Sequence, residues 1–414
     1  MLVTGDEILR GRIQERNAGV LARSLDARGV AIDRIEMVGD ALEAIATALV
    51  RLLAEGADLV CVSGGLGPTH DDLTMEAVAR ATDRPLALDP AALELVRARS
   101  VGMTAAPDVR RAAQEKQASL PTGSRVLAPP GTAPGCVLSH DGSVVVVLPG
   151  PPWELEAMWA EAVGTPEVAE VVARAGARHE RVLRLDGVPE SQLVGVLRDL
   201  DPGAWERLRV GICAREGELE VTVRADPSDA WAAEALDEVV AAGVGDALFS
   251  RDGATLEEVV ARALLAAGET VAVAESCTGG GLGARLTERP GSSAYVLGGV
   301  IAYADVVKSA LLGVDRELLR RHGAVSAECA RAMALGARER VGSDWALSVT
   351  GIAGPGGGTP DKPVGLVFIG LAGPHGLLRH AELRRGGDRA AIRGRSATAA
   401  LHLLRRALAE RAAV

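Results

Sequence analysis

A serine, a cysteine and a threonine stand side by side in Ala274-Glu275-Ser276-Cys277-Thr278-Gly279-Gly280. An apolar strand-like run precedes them and a helix-like stretch follows. In open α/β sheets that position, beyond the carboxyl end of a strand, is where ligands bind. Free N–H groups at a helix start suit an anion or a developing oxyanion, and a hydroxyl or thiol there is placed for nucleophilic attack. The bland alternative makes Ser276 or Thr278 an N-cap and Cys277 a small buried residue. Three further segments weigh against it. Tyr303 and Lys308 follow Gly298-Gly299-Val300-Ile301-Ala302, and Ser348-Val349-Thr350 runs into a loop holding Gly351, Gly354 and Gly356-Gly357-Gly358. Finally, Gly387-Asp388-Arg389 opens a helix with Arg393 one turn later. Glycines let backbone N–H groups approach phosphate or ribose closely.

A second constellation lies near the start, in Ser63-Gly64-Gly65-Leu66-Gly67-Pro68-Thr69-His70-Asp71-Asp72-Leu73-Thr74. It too follows a buried strand and precedes a helix. Gly64, Gly65, Gly67 and Thr69 could cradle phosphate. Asp71 and Asp72 could bind Mg²⁺ or Mn²⁺, hard ions that prefer oxygen ligands and phosphate partners. Spacing alone equally allows them to be a helix-capping pair.

The elements that must position these groups are read from periodicity. Leu2–Thr4 is a strand stub, Asn17–Arg28 a helix closed by Gly29, Val30–Val38 a strand, Leu42–Ala54 an apolar-striped helix, and Ala57–Val62 and Val144–Leu148 buried strands. Such alternation predicts a parallel sheet covered on both faces. From about Thr165 the pattern changes to a small α+β segment, with alternating strands at Arg181–Leu185 and Leu219–Val223, a polar stretch Asp201–Leu208 and a helix near Ala230–Ala242. Near Asp252 a third α/β unit opens. Thr255 and Glu258 form a capping-box start for the helix Leu256–Ala267. Strands follow at Thr270–Ala274, Val296–Tyr303, Ala346–Thr350 and Val364–Leu371, with helices at Ala327–Val341 and Arg389–Glu410. The expected domains are therefore 1–165, 166–252 and 253–414.

Bulk properties narrow the function classes. The net charge is −10 with both signs interspersed, and only nine of the 414 residues are Trp, Tyr or Phe. A nucleic-acid binder needs a basic stripe or stacking aromatics, so none is expected. The five cysteines, Cys61, Cys136, Cys213, Cys277 and Cys329, are far apart and lack CxxC spacing, which indicates neither a disulfide framework nor a zinc site. No apolar run is long enough to span a bilayer, and the start MLVTGDEILRG has no secretory character. A cytoplasmic location is expected.

In the C-terminal third, the motifs AESCTGG, GGVIAY with its following lysine, TGIAGPGGGTPDKPVG and GDR occur in one order. Together they resemble the C-terminal domain of the CinA family, the nicotinamide mononucleotide (NMN) deamidases also called PncC. The resemblance implies hydrolysis of the nicotinamide amide to nicotinic acid mononucleotide and ammonia, without a cofactor. It implies a Ser–Lys pair matching Ser276 and Lys308, with Tyr303, Thr350 and an arginine near the helix start shaping the site. A buried or cation-flanked lysine can be neutral near pH 7 and take the serine proton. Backbone N–H groups of the turn Thr278, Gly279, Gly280 are the expected oxyanion donors. Cys277 is the rival nucleophile, because a helix N-terminus lowers a thiol pKa. Arg389 and Arg393 are equal candidates for the phosphate.

The front of the chain is similar to the molybdopterin-binding MoaB/MogA-like domain that opens CinA proteins, a three-layer α/β fold. Gly5-Asp6-Glu7, Asn17, Val38-Gly39-Asp40, the GGLGPTHDDLT loop, Thr132-Ala133-Pro134-Gly135 and Pro149-Gly150-Pro151-Pro152 match in order. By that resemblance Asp40 and Asp72 flank the site, and a Mg²⁺-dependent (or other divalent) ADP-ribose pyrophosphatase is the implied second activity. Only Met1–Thr4 stand before Gly5, where the family has a longer apolar run, so either the first strand is truncated or the true start lies upstream. The resemblance extends through Gly187-Val188-Pro189-Glu190-Ser191. The expected partners are NMN, ADP-ribose and a second copy in a homodimer, with neither nucleic acid nor membrane. A non-catalytic pterin- or nucleotide-binding front domain, and a competence-related adaptor, are the readings from other classes.

Overall fold

The computed structural model describes residues 1–100, 106–175 and 179–412. The chain divides into two compact units, Met1–Arg178 and His179–Val414.

In the first unit six strands form one sheet: β1 (Leu2–Thr4), β2 (Glu36–Val38), β3 (Leu59–Ser63), β4 (Arg125–Leu127), β5 (Gly135–His140) and β6 (Ser143–Leu148), in the order β2-β1-β3-β6-β5-β4. The first four of that order are parallel, whereas β5 and β4 run antiparallel. The sheet is thus mixed rather than parallel throughout. Because side chains alternate along a strand, each strand feeds two cores. Val60, Val62, Val145 and Val147 join Ile45, Leu49 and Leu52 of the helix Leu42–Ala54. Cys61, Val144, Val146 and Leu148 instead pack on Leu155, Met158 and Trp159 of the helix Pro152–Ala162. Helices on both faces make the three-layer arrangement. β1 is three residues long and fully buried between two parallel neighbours. The strand expected over Val30–Val38 shrinks to β2, because only Glu36–Val38 finds a partner, in β1.

The second unit holds two sheets. β7 (His179–Asp186), β8 (Arg209–Arg215), β9 (Glu218–Ala225) and β10 (Leu248–Ser250) form an antiparallel layer in the order β8-β9-β7-β10. The stretch read as polar, Asp201–Leu208, contains one helical turn at Pro202–Trp205, capped by the Asp201 carboxylate. β8 was not legible: Gly211 and Cys213 interrupt its alternation, and it lies at a sheet edge.

The other layer comprises β11 (Val271–Glu275), β12 (Val296–Ile301), β13 (Trp345–Gly351), β14 (Leu366–Ala372) and β15 (Leu378–Arg384), ordered β12-β11-β13-β14-β15. Its first three strands are parallel and the last two antiparallel. The helices α1 (Leu256–Ala267), α2 (Gly281–Thr287), α3 (Asp305–Leu312), α4 (Ala327–Val341) and α5 (Arg389–Ala412) pack against it. The capping box at Thr255 and Glu258 forms in both directions, and Gly268 closes α1 in the left-handed conformation. Trp345 is buried in the larger core with Val271, Val273 and α5 residues. Among the described residues no helix is long and apolar enough to cross a membrane.

Candidate active site

Alternation along β11 decides which side each reactive group occupies. Ala272 and Ala274 pack with Cys329, Met333 and Ala337 of α4, whereas Val271 and Val273 join the opposite core with α1 and α5. The Ser276 N–H donates to the Val349 carbonyl (2.9 Å), which carries the ladder one residue past the end of β11. Ser276 therefore continues the Ala272–Ala274 side and Cys277 turns to the other. Cys277 is indeed part of the core with Leu282, Leu286 and Ile392, and is 5% exposed. Burial drives its thiol up to about 11, and the neighbouring Glu275 charge pushes the same way. The Cys277 and Thr278 N–H groups and the Arg393 charge pull the thiol the other way but are outweighed by burial.

The N–H groups at the start of the following helix are taken by another side chain. Glu275 is 1% exposed, and its carboxylate accepts from the N–H groups of Gly280 (3.0 Å), Leu282 (3.0 Å) and Gly283 (2.8 Å). Three donors offset what would otherwise be a large cost of burying a charge. The start of α2 is thus capped from within and offers no free anion site. The Gly279 N–H is also taken, by the Ser276 carbonyl (3.1 Å). The oxyanion role expected of Gly279 and Gly280 is corrected accordingly. Among the described residues, the N–H groups of Cys277 and Thr278 have no carbonyl acceptor and are directed to the Cys277 thiol. Glu275 escaped sequence reasoning, because its acceptors become visible only once the turn is built.

β12 runs alongside β11, and the Ala302 N–H donates to the Glu275 carbonyl (2.7 Å), so both strands end at one level. Lys308 follows one turn into α3. It is 1% exposed, and its ammonium donates to the Tyr303 carbonyl (3.0 Å), with the Asp305 carboxylate at 3.4 Å. Its positive charge reaches Cys329, whose thiol burial still holds at about 11. Lys308 therefore sits on the Ala274–Cys329 side, the side that Ser276 continues, at the same sheet end. Among the described residues no hydrogen bond joins Ser276 Oγ to Lys308 Nζ.

The remaining predicted groups close around this sheet end. Thr350 is 1% exposed and donates to the Ala324 carbonyl (2.7 Å), so its hydroxyl anchors the turn before α4. Gly351 pairs with Val367, and a Cβ on it would meet the Val367 side chain at 2.6 Å. Gly354 has φ +77° and its carbonyl accepts from Arg389 Nη1 (2.8 Å). Arg389 Nη2 donates to the hydroxyl of exposed Tyr303 (3.0 Å). Arg393 donates through Nε and Nη2 to the Thr278 carbonyl (3.2 and 2.5 Å). The two arginines thus differ: Arg393 is half-buried and holds the Ser-Cys-Thr turn, whereas Arg389 is exposed on the rim between the Gly-rich loop and Tyr303. Lys362, not singled out from sequence, donates to the His322 (2.7 Å) and Val325 (2.8 Å) carbonyls and ties the same loop down.

In the first unit, Gly64, Gly65, Thr69, Asp40, Asp71 and Asp72 all line one cavity of about 390 Å³. Gly64 (φ +106°) and Gly65 (φ +64°) make a turn that no Cβ fits: it would meet the Thr4 carbonyl at 2.5 Å or the Thr74 hydroxyl at 2.4 Å. Gly67 lies on the loop's other side, beside a smaller cavity with Lys116 and Gln117. Asp72 accepts from the Thr69 N–H (2.9 Å) and hydroxyl (2.6 Å), so it shapes the loop. Asp71 also accepts from the Thr69 hydroxyl, which lowers its carboxyl pKa. Neither caps the helix Thr74–Ala81, which starts without a side-chain cap. Asp40 accepts from the Asp6 N–H (2.8 Å), and burial raises its carboxyl, with the Glu7, Asp6 and Asp71 charges adding to it. Among the described residues no three His, Cys, Asp or Glu side chains converge tightly enough to form a ready-made metal cage. Asn17, which is buried, ties the floor together by donating to Ser63 Oγ (2.8 Å) and the Gly150 carbonyl (2.7 Å).

Comparison with known proteins now assigns the family. The chain is 46% identical to a CinA-like protein of Mycolicibacterium vanbaalenii, over 99% of this chain and 98% of that one. It is 43% identical to a CinA-like protein of Mycobacterium tuberculosis, over 99% and 96%. The chain belongs to the CinA family. Residues 1–170 match the probable molybdopterin binding domain family, and residues 253–408 match the CinA C-terminal domain family. A solved competence/damage inducible protein from Agrobacterium tumefaciens is 43% identical over 37% of this chain and 94% of that chain, with a TM-score of 0.36. Family membership fits the mixed α/β sheets of both units.

Proposed function

We propose that the C-terminal layer is an amidohydrolase acting on NMN, with Ser276 as nucleophile and Lys308 as its proton acceptor. The observation that supports it most is the shared side and sheet end of Ser276 and Lys308, while Cys277 is turned into the core. In this reading Ser276 Oγ attacks the carboxamide carbon and the Lys308 amine takes its proton. The developing oxyanion needs N–H donors, and those of Cys277 and Thr278 are the ones in this turn that no carbonyl takes. The intermediate collapses by breaking the C–N bond, and Lys308 returns the proton to the departing ammonia. Water then attacks the acyl-enzyme, giving up a proton to Lys308, and Ser276 leaves with that proton to release nicotinic acid mononucleotide. Arg389, exposed and next to the Gly-rich loop, is the arginine suited to the nucleotide phosphate.

Ammonia release from NMN, with no added metal, tests the assignment. Ser276→Ala and Lys308→Met are expected to lose at least about a thousandfold in kcat, the scale for removing a nucleophile or its base. Cys277→Ala should stay within a few-fold of wild type. Activity surviving in Ser276→Ala and dying in Cys277→Ala would reverse the assignment.

For the first unit we propose a divalent-metal-dependent pyrophosphatase acting on ADP-ribose. The residues fit a Mg²⁺ ion held chiefly by its substrate. Asp40 and Asp71 line the same cavity, and the Glu7, Asp6 and Asp71 charges that add to the burial-driven rise of Asp40 are what a cation relieves. Mg²⁺ is commonly bound through one or two carboxylates plus phosphates, so no cage is required. Bound there, the ion would neutralise phosphate charge for hydrolysis. The Gly64–Gly65 turn would hold a phosphate by its backbone. AMP formation from ADP-ribose with Mg²⁺ or Mn²⁺ tests this. Ammonia from NMN without AMP from ADP-ribose would make the first unit a binding module.

A further inference from the structure

We propose that Glu216, in the antiparallel layer, is a positioning residue for the C-terminal site: it clamps together the two helices that hold the Ser-Cys-Thr turn. The proposal rests on the deamidase reading for its kinetic consequence only. Glu216 and Gly217 form the two-residue turn of the β8–β9 hairpin, with Arg215 paired to Glu218. Both turn residues have positive φ, +53° and +97°. Turns of this kind favour Asn, Asp or Gly at the first position, and a glutamate there adopts a conformation rare for its type. An observed outlier of that sort motivates a search for what its side chain does.

The side chain reaches across to the neighbouring layer. Its Oε2 accepts from Arg285 Nη1 (3.3 Å) on α2 and from the Thr398 hydroxyl (3.3 Å) on α5. Arg285 Nη1 also donates to Thr398 Oγ1 (2.7 Å), and Arg285 Nε donates to Glu257 on α1 (2.6 Å). The approach is close: a Cβ at Gly394 would stand 2.7 Å from Glu216 Oε1, so the glutamate tip would have to shift away. Gly394 is the residue after Arg393, which holds the Thr278 carbonyl, and Arg285 belongs to the helix that begins just after Gly280. Glu216 thus joins α2 to α5 at the level of the Arg393–Thr278 contact. Further along the same stripe of α5, Glu218 meets His402 (2.7 Å), and Asp186 meets His402 (3.4 Å) and Arg406 (2.5 Å). Residues 394, 398 and 402 are spaced by four, so one face of α5 lies against this layer.

The consequence is mechanical. When the clamp is lost, Arg393 and the turn it holds gain freedom, and the Cys277 and Thr278 donors lose alignment. Misplacement by about 1 Å can cost up to a hundredfold in rate. In the full chain, Glu216→Ala is expected to lower kcat for ammonia release from NMN about tenfold with KM nearly unchanged, since Arg389 on the rim is not clamped. Glu216→Gln, which keeps an acceptor, should recover most of the loss, and Gly394→Ala should reproduce it. Arg406→Ala, which loosens the same layer contact far from the turn, should lower Tm without changing kcat. Hydrogen exchange supplies a readout independent of turnover: amides 278–285 should exchange faster in Glu216→Ala than in wild type or Arg406→Ala. Unchanged exchange there, or equal kcat effects for Glu216→Ala and Arg406→Ala, overturns the proposal. If wild type releases no ammonia, the deamidase reading fails and the exchange comparison alone decides on the clamp.

Discussion

Ser276 and Cys277 are adjacent in the chain, yet one peptide step puts them in different surroundings. Strand alternation sends the serine to the Lys308 side and the thiol into a core of Leu282, Leu286 and Ile392. Burial pushes the Cys277 thiol up to about 11, so it stays protonated at pH 8. Iodoacetamide at that pH should therefore label exposed Cys213 and leave Cys277 unmodified in the folded protein, as read by peptide mass mapping. Labelling of Cys277 at the rate of Cys213 would contradict the buried placement. The residue scale also marks where sequence reading stopped. That Ser276, Tyr303, Lys308 and Thr350 lie at or just beyond strand ends was legible, because each belongs to a short motif there. The choice between Arg389 and Arg393 was not, since it depends on the phase of α5 relative to the turn at Thr278. Glu275 was invisible for a related reason: its partners are backbone groups that converge only after folding.

At the level of elements, strong local signals survived and edges did not. The capping box of α1 was legible because Thr255 and Glu258 satisfy each other's backbone without outside help. The edge strands β8 and β15 carry charged, exposed alternate positions and gain their identity from a partner strand, a non-local fact. Just before α1, Asp252 is bound by the Arg262 guanidinium, the Ala254 N–H and the Ser250 hydroxyl, which hold its carboxyl at about 2. A carboxyl depressed on folding contributes stability above its unfolded value near 4. That contribution is lost as pH falls from about 4 through 2. Asp252 is 60% exposed, so solvent screening limits the effect to under about 1 kcal/mol. Asp252→Asn should lower Tm by a few degrees at most at pH 7, and the difference from wild type should narrow between pH 4 and pH 2.5 in thermal scans. A difference that grows on acidification would contradict the assignment.

The whole molecule carries its two candidate sites in separate compact units. Their chemistries share no residue, so they should be separable by single substitutions. Asp40→Asn is expected to abolish AMP formation while leaving ammonia release within about twofold, and Ser276→Ala to do the opposite, each followed in paired assays. Loss of both products from one substitution would mean that the sites are coupled. The scarcity of aromatic residues has an optical consequence. Trp159 in the first unit and Trp345 in the second are 3% and 1% exposed, whereas Trp153, Trp205 and Trp231 are 60%, 46% and 51% exposed. Changing those three to Phe leaves one shielded indole per unit. The fluorescence of that variant should be blue-shifted and resistant to acrylamide, and removing either remaining indole would let urea melting be followed for one unit at a time.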